Sequence, residues 1–397
     1  MRRKLLIYSH LWAPTVGGVQ IVTMDLAQGI CEWSSAHPDE AWEITVVTQS
    51  SGEDGHDTTL GFRVVRGPSA WQLFKLIRSA DILHLAGPAL LPLAIGWLLR
   101  KRFVIVHHGY QSICPNGLLL RGAEHEMCPG HFMAGHYMKC IQCNAHRTGL
   151  MKSLRDMFLT FPRRWLAARA TANVAVSRHL ANRLQLPRTQ TIYNSARLQS
   201  DRSTEDMVPS DREGSTFAFV GRLVAEKGVP VLLKAVSILQ SQGEHVRVIV
   251  IGDGPERAHL EALAKDLRLQ DCVKFFGAVE KERLSSLLAR VRAVVMPSVC
   301  EDVAPLVLIE QLGDGNLVIG SDIGGLGEFL EGKGLKFPPG DADSLAEIMR
   351  RVVHDPRLGM ELVAIGKRTA IELFSPDRMI HEHVSLYKDL LSPRPVG

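Results

Sequence analysis

Apolar residues along the chain fall into two series, each alternating short β-rich runs with stretches of helical spacing. In the first, residues 4–9 (KLLIYS) read as a strand and residues 19–31 (VQIVTMDLAQGIC) as a helix. The runs Ile44–Thr48, Phe62–Val65, Ile82–Leu85, Phe103–Val106 and Asn173–Val176 predict further strands. The pattern breaks after Ile192, where a polar stretch nearly free of large apolar groups reads as a linker. The second series opens at Thr216, with strands predicted at Phe217–Val220, Arg247–Ile251, Val273–Phe275, Ala293–Met296 and Leu317–Gly320. An amphipathic helix follows at Pro376–Leu391. Strand, loop and helix repeated this way predict an α/β protein of two Rossmann-like domains facing each other across a cleft. The boundaries fall at 1–198 (with a Cys-rich insertion at about 114–146), a linker at 199–215, a second domain at 216–375 and a crossover helix at 376–397, which packs back toward the first domain. In such sheets ligands sit outside the carboxyl ends of the strands, so the loops there carry the chemistry.

Composition narrows the class. The chain has 397 residues, 22% charged and 34 of them Gly, which argues against a coiled coil, collagen or wholesale disorder. The longest apolar run, Leu90 to Leu99, is about half of what a membrane-spanning helix needs. No signal peptide is visible, so the expected location is the cytoplasm and the seven cysteines are expected as thiols or ligands. The net charge of +4 conceals an asymmetry. Residues 1–198 hold 22 Lys+Arg against 12 Asp+Glu, and residues 199–397 hold 24 against 30. The basic first half predicts an anionic partner, but no reading module or aromatic-rich basic groove points to nucleic acid.

Several strand ends carry candidate chemistry. In AFVGRLVAEKG (218–228), Arg222 and Lys227 follow a strand at a helix entry, a setting suited to a pyrophosphate. In MPSVCEDVAPLVLIE (296–310), Glu301, Asp302 and Glu310 follow another strand. Asp302 could accept sugar hydroxyls, cap a helix, or do both. Gly17 and Gly18 of PTVGG permit close approach of a phosphate or sugar. GDGPE (252–256), containing Gly254, is similar but lacks the third glycine of the dinucleotide fingerprint. His107 and His108 end the strand Phe103–Val106. The spacing of DAD (341–343) is explained by helix capping, and HEH (381–383) lacks the second histidine of a zinc protease motif.

These segments together resemble glycosyltransferase family 4, the retaining group with two facing Rossmann domains (the GT-B fold). The likeness runs through VHHGYQSICPNG (106–117), VAVS (174–177), IYN (192–194), VGRLVAEKG (220–228), VIGDGPE (250–256), FFGAV (275–279), MPS (296–298) and APLVLIEQL to SDIGGLGE (304–328). The resemblance implies transfer of a sugar from a nucleotide-diphosphate sugar, UDP- or GDP-linked, to a glycan or lipid-linked acceptor. It implies that Gly17 and Gly18 contact the donor diphosphate or the acceptor, and that Arg222 and Lys227 neutralise the departing diphosphate. Glu310 would bind ribose hydroxyls, His108 would be the cleft histidine, the base would lie around Phe276–Val279 (Phe276 and Gly277 among its contacts), and Gly254 would belong to the donor site. Where the family has Glu this chain has Asp302 beside Glu301, so either carboxylate could face the donor sugar. The family's reaction needs no obligatory metal.

Two features lie outside that pattern. Cys114, Cys128, Cys140 and Cys143 are either a structural zinc site folding a loop or ordinary thiols of an insertion. Residues 147–169 hold six cations, one acid and interleaved Leu, Met, Phe and Trp. They read either as a segment resting peripherally on an anionic inner membrane face or as a core-facing helix with a solvated basic side. Two other function classes share this sequence logic: a nucleotide-sugar 2-epimerase-like isomerase, marked by donor turnover without acceptor, and a non-catalytic nucleotide-sugar binding protein, against which Arg222, Lys227 and Glu310 argue.

Overall fold

The computed structural model of the chain describes residues 3–13, 17–51, 60–121, 126–196, 215–355 and 357–392. It divides into two compact units. One gathers most residues up to Ala196 with the segment from Phe374 onward, and the other holds the intervening residues. The linker expected at 199–215 lies, apart from Ser215, outside the described residues.

The first unit runs β1 (Arg3–Ser9), α1 (Gly18–Ala36), β2 (Trp42–Thr48), β3 (Arg63–Arg66), α2 (Ala70–Ser79), β4 (Ile82–Ala86), α3 (Leu90–Leu98) and β5 (Arg102–His107). A short two-stranded ribbon follows, β6 (Leu120–Arg121) with β7 (Glu126–Met127). Then come α4 (Tyr137–Thr148), α5 (Leu150–Ala167), β8 (Ala172–Ala175), α6 (Arg178–Leu184) and β9 (Thr189–Thr191). Seven strands form a parallel sheet in the order β3-β2-β1-β4-β5-β8-β9. Helices cover its faces, so β1 and β5 read as continuous apolar runs rather than alternating ones.

The second unit repeats the scheme: β10 (Thr216–Val220), α7 (Val229–Ser241), β11 (Arg247–Ile251), α8 (Arg257–Asp266), β12 (Val273–Gly277), α9 (Lys281–Leu288), β13 (Ala293–Met296), α10 (Leu306–Gly313), β14 (Val318–Ser321), α11 (Gly324–Leu330), β15 (Leu335–Phe337), α12 (Ala342–His354) and α13 (Met360–Leu373). Its parallel sheet has the order β12-β11-β10-β13-β14-β15. The strands predicted from apolar runs are present, while β9, β15 and the β6–β7 ribbon were not predicted because each is too short to show a pattern. Asp341 caps α12 by accepting from the Ser344 amide (2.9 Å) and hydroxyl (2.6 Å), as the DAD segment suggested.

The last helix, α14 (Pro376–Leu391), begins with Ser375 as its N-cap and Pro376 in its first turn, and it packs on α1 of the first unit. Gly29 sits mid-helix in α1, and a methyl there would overlap the Ile380 side chain, so α14 seats directly on the α1 backbone.

Candidate functional site

The order of a doubly wound sheet reverses at one point, and the crevice there is where the loops can part around a ligand. In the second unit that point lies between β10 and β13. The loop after β10 brings Lys227 there, and the loop after β13 brings Ser298 and Asp302. The Lys227 ammonium donates to both Asp302 carboxylate oxygens at 2.9 and 2.8 Å, and the Ser298 hydroxyl donates to Oδ2 at 2.8 Å. Burial pulls the Lys227 amine toward neutrality, but the Asp302 carboxylate, with Cys300 and Glu226, outweighs it, and the net shift is upward. The amine is therefore held charged.

Close backbone contacts hold these loops. Gly228 has φ +67°, and a methyl on it would overlap the Pro297 carbonyl oxygen, while the Val299 amide donates to the Glu226 carbonyl at 3.0 Å. On the other side the Gly325 amide donates to the Asp302 carbonyl at 2.6 Å, and a methyl on Gly325 would overlap the Val303 carbonyl. Asp302 makes no helix cap. The cap position of α10 is Pro305, without a side-chain hydrogen bond, because the Asp302 carboxylate is already taken by Lys227 and Ser298.

The other predicted residues of this unit sit at neighbouring strand ends. Arg222 is exposed just after β10, with no ion-pair partner among the described residues. Gly254 follows β11, where a side chain would meet the Leu223 carbonyl, and its amide takes the Asp253 carboxylate at 2.7 Å. Phe276 and Gly277 end β12, Gly277 at φ +71°. Glu310 lies on α10, half-buried, and burial raises its carboxyl group above the ordinary range despite Lys281 nearby. Glu301 is half-buried beside Asp302.

In the first unit Gly17 caps α1 in extended conformation (φ −167°) and Gly18 opens the helix, so neither occupies the left-handed region. Pro14, Thr15 and Val16 of the same motif lie outside the described residues. His108 is half-buried just beyond β5. Burial, with His107 and His383 nearby, pulls its imidazole down to about 3, so it is neutral near pH 7. His107 Nε2 lies 2.9 Å from Asn173 Oδ1, and burial lowers it to about 4. His84 Nδ1 lies 2.6 Å from the Tyr387 hydroxyl, and His383, lowered by burial to about 4, stacks obliquely beside it. Four histidines thus sit neutral in this unit.

A folded state that keeps histidines neutral below their free value of about 6.5 binds fewer protons than the unfolded chain. Stability is present above that value and falls as pH drops from about 6.5 toward 4, with a slope on the order of 1 kcal/mol per histidine per pH unit. The melting temperature of this unit is expected to drop steeply between pH 7.5 and 5, and His383→Leu to flatten the drop. A pH-independent midpoint would contradict the buried neutral cluster.

Residues 203–369 match the family model described as Glycosyl transferases group 1. The matched segment covers nearly all of the second unit. An uncharacterized glycosyltransferase of Methanocaldococcus jannaschii is 32% identical over 172 residues, 43% of this chain and 44% of the relative. The alpha-D-kanosaminyltransferase of Streptomyces kanamyceticus is 25% identical over 229 residues, 54% and 59% of the two chains. The matches therefore span roughly half the length of these curated relatives. Over the whole length, the crystal structure of Anabaena HepE in complex with UDP and glucose superposes with a TM-score of 0.70 at 17% identity, covering 98% of this chain and 100% of HepE. That likeness shows the fold, the two-Rossmann-domain GT-B architecture.

The group 1 segment includes Ser298 and Gly228, which sequence reasoning did not single out; the quoted MPS and AEKG segments contain them without revealing that they meet Asp302 and Pro297. Outside it, the four cysteines do converge: the electrostatic surroundings of Cys140 include Cys114, Cys128 and Cys143. Among the described residues no three Cys, His, Asp or Glu stand as a metal-holding set. Each thiol also has a neighbour of its own. Cys114 donates to Asn116 Oδ1 (3.0 Å), Cys143 to the Leu120 carbonyl (3.2 Å), Cys128 Sγ lies 3.6 Å from His131 Nδ1, and Cys140 packs with Phe132 and Met157. Burial beside the other thiols pushes Cys140 up to about 12, which keeps it a thiol.

Proposed function

We propose that the protein is a retaining glycosyltransferase that moves a sugar from a UDP- or GDP-sugar to a glycan or lipid-linked acceptor. The observation that carries this reading is the Lys227 ammonium, held charged on Asp302 at the switch point of the second unit, with the Arg222 guanidinium, which has no ion-pair partner among the described residues, after the same strand. As the bond between the anomeric carbon and the donor phosphate breaks, negative charge grows on the diphosphate. Positioned cations stabilise that charge by several kcal/mol. A diphosphate arriving beside Lys227 competes with Asp302 for the ammonium, which frees the carboxylate to accept sugar hydroxyls.

Retention follows if the departing phosphate oxygen takes the proton of the acceptor hydroxyl on the face it leaves. No enzyme nucleophile is then required, unlike the two-carboxylate route of retaining glycosidases. Glu310 is assigned to ribose hydroxyls. His108 offers a neutral imidazole that can donate to or accept from a sugar hydroxyl. The UDP and glucose held by HepE favour a UDP-sugar as the first donor to test. No cofactor is assigned to the chemistry.

Incubation with UDP- and GDP-sugars and candidate acceptors, read by NMR of the product's anomeric configuration, tests the reading. The expected product keeps the donor's configuration, and EDTA leaves its formation largely intact because Arg222 and Lys227 supply the positive charge. An inverted product sinks retention. Donor isomerised without acceptor points to the 2-epimerase-like alternative, and binding without turnover to a non-catalytic role. Activity abolished by EDTA and restored only by magnesium or manganese would overturn the assignment of the two cations.

A further inference from the structure

An amphipathic helix on a globular protein turns its large apolar side chains inward. Helix α5 buries Met157 and Leu166 but leaves Leu150, Met151, Phe158, Phe161 and Trp165 exposed. Its buried positions include Ser153, Met157, Thr160 and Ala167, of which the two hydroxyls are satisfied by the Ile141 carbonyl (2.6 Å) and the Asp156 carbonyl (2.7 Å). Its outward stripe is Met151, Phe158, Phe161 and Trp165, which at 3.6 residues per turn fall within an arc of ~80°. Met151 is 80% and Phe158 69% exposed.

Helix α3 extends this face. Its nine residues, LLPLAIGWL, include no polar side chain; Leu93 and Gly96 are buried, yet Leu91, Trp97 and Leu98 are exposed, Leu98 at 69%. Trp97 and Trp165 meet edge to face at 5.0 Å, which joins the two helices' outer faces, and Phe161 meets Tyr137 at the start of α4 at 5.1 Å. Met138, 67% exposed, continues the surface onto α4. An apolar face continuous over three helices marks an interaction site rather than scattered exposure.

The rim decides the partner. Arg100, Lys139, Lys152, Arg155 and Arg169 are exposed around this face, and Arg169 stacks its guanidinium 3.5 Å from the centre of the Trp165 ring. Residues 90–102 and 133–169 contain one acid, Asp156, which is tied to Arg155 (2.9 Å) and Asn144 (3.4 Å). Arg163 and Arg164 are not part of the rim, since both turn to backbone carbonyls. A second copy docking here would set two cationic rims against each other. An anionic bilayer presents the complementary charge to the rim and hydrocarbon to the centre.

We propose that the outer face of α3, the start of α4 and α5 is a membrane-docking surface that inserts Leu98, Met151 and Phe158 at the headgroup boundary of an anionic bilayer, with the cations on lipid phosphates. The inference rests on the first unit alone, and it deepens the lipid-linked acceptor of the proposed reaction without depending on it. Flotation of the full chain with vesicles of phosphatidylcholine, alone or mixed with phosphatidylglycerol, tests it with no transfer step involved, so either idea can fail without the other.

The chain is expected to float with the mixed vesicles and to be weakened by salt. Met151→Ser with Phe158→Ser lowers partitioning by about tenfold or more, and Leu98→Ser lowers it independently through α3. Lys152→Glu with Arg155→Glu lowers it by about fivefold or more per site, on the mixed vesicles only. All these positions are exposed, so thermal midpoints and circular dichroism stay those of the parent. A chain that floats with neither vesicle, or variants that float as well as the parent, would overturn the proposal. So would a dimer in solution that Met151→Ser and Phe158→Ser dissociate while vesicle binding is absent.

Discussion

Lys227→Ala is expected to lower turnover by about 10²–10³-fold, the cost of removing one positioned group that stabilises charge developing in the transition state. Lys227 is enclosed rather than waving in solvent: its side chain is 25% exposed and its ammonium sits between both oxygens of Asp302. Truncation has a second effect, since it leaves the Asp302 carboxylate with Ser298 as its remaining side-chain donor. A loss of folding stability would therefore accompany the loss of rate.

Arg222→Ala separates the two effects. Arg222 pairs with no described residue, so its removal is expected to leave the melting temperature unchanged while turnover falls. Asp302→Asn keeps the shape of the loop but gives up the charge that holds Lys227 protonated, and it should lower turnover less than Lys227→Ala. Steady-state kinetics beside thermal melts of the three variants check this. Turnover unchanged in both Lys227→Ala and Arg222→Ala would remove the diphosphate role from this loop.

The second large effect is on folding. Gly228→Ala is expected to destabilise the second unit by about 2–4 kcal/mol, from left-handed backbone and from overlap with the Pro297 carbonyl together. For a unit of this size that is a melting shift of roughly 5–15 °C. Gly243→Ala is the control. It has φ +82° but open space around it, so it bears the backbone cost alone, about 1 kcal/mol. Equal midpoints for the two variants would show that the loop after β10 can move off the loop after β13, and that Lys227 and Asp302 are not held together by this contact.

The apolar runs at Arg247–Ile251 and Ala293–Met296 coincide with β11 and β13, because a strand buried on both faces must be apolar throughout. HEH at 381–383 lacks a metal motif's spacing, and its His383 belongs to the neutral histidine cluster with His84 and His108. Nothing in a sequence separation of 303 residues signals that His84 and Tyr387 share a hydrogen bond. The basic stretch 147–169 reads as one segment in the sequence; Gly149, at φ +84°, divides it between α4 and α5.

By itself the sequence determined two parallel α/β units and the strand ends at which the chemistry-bearing residues stand. Those depend on local properties, apolar runs and helical spacing, which every short window of chain displays. Only the tertiary structure decided that Lys227 and Asp302, 75 residues apart, form one ion pair, since that follows from the order in which strands join the sheet. It also decided which way α5 faces. Helical periodicity reveals that a stripe of Met, Phe and Trp exists, but it carries no sign. The stripe points outward because Ser153 and Thr160, small and able to satisfy their hydroxyls on nearby carbonyls, fit against the unit where the aromatic rings do not.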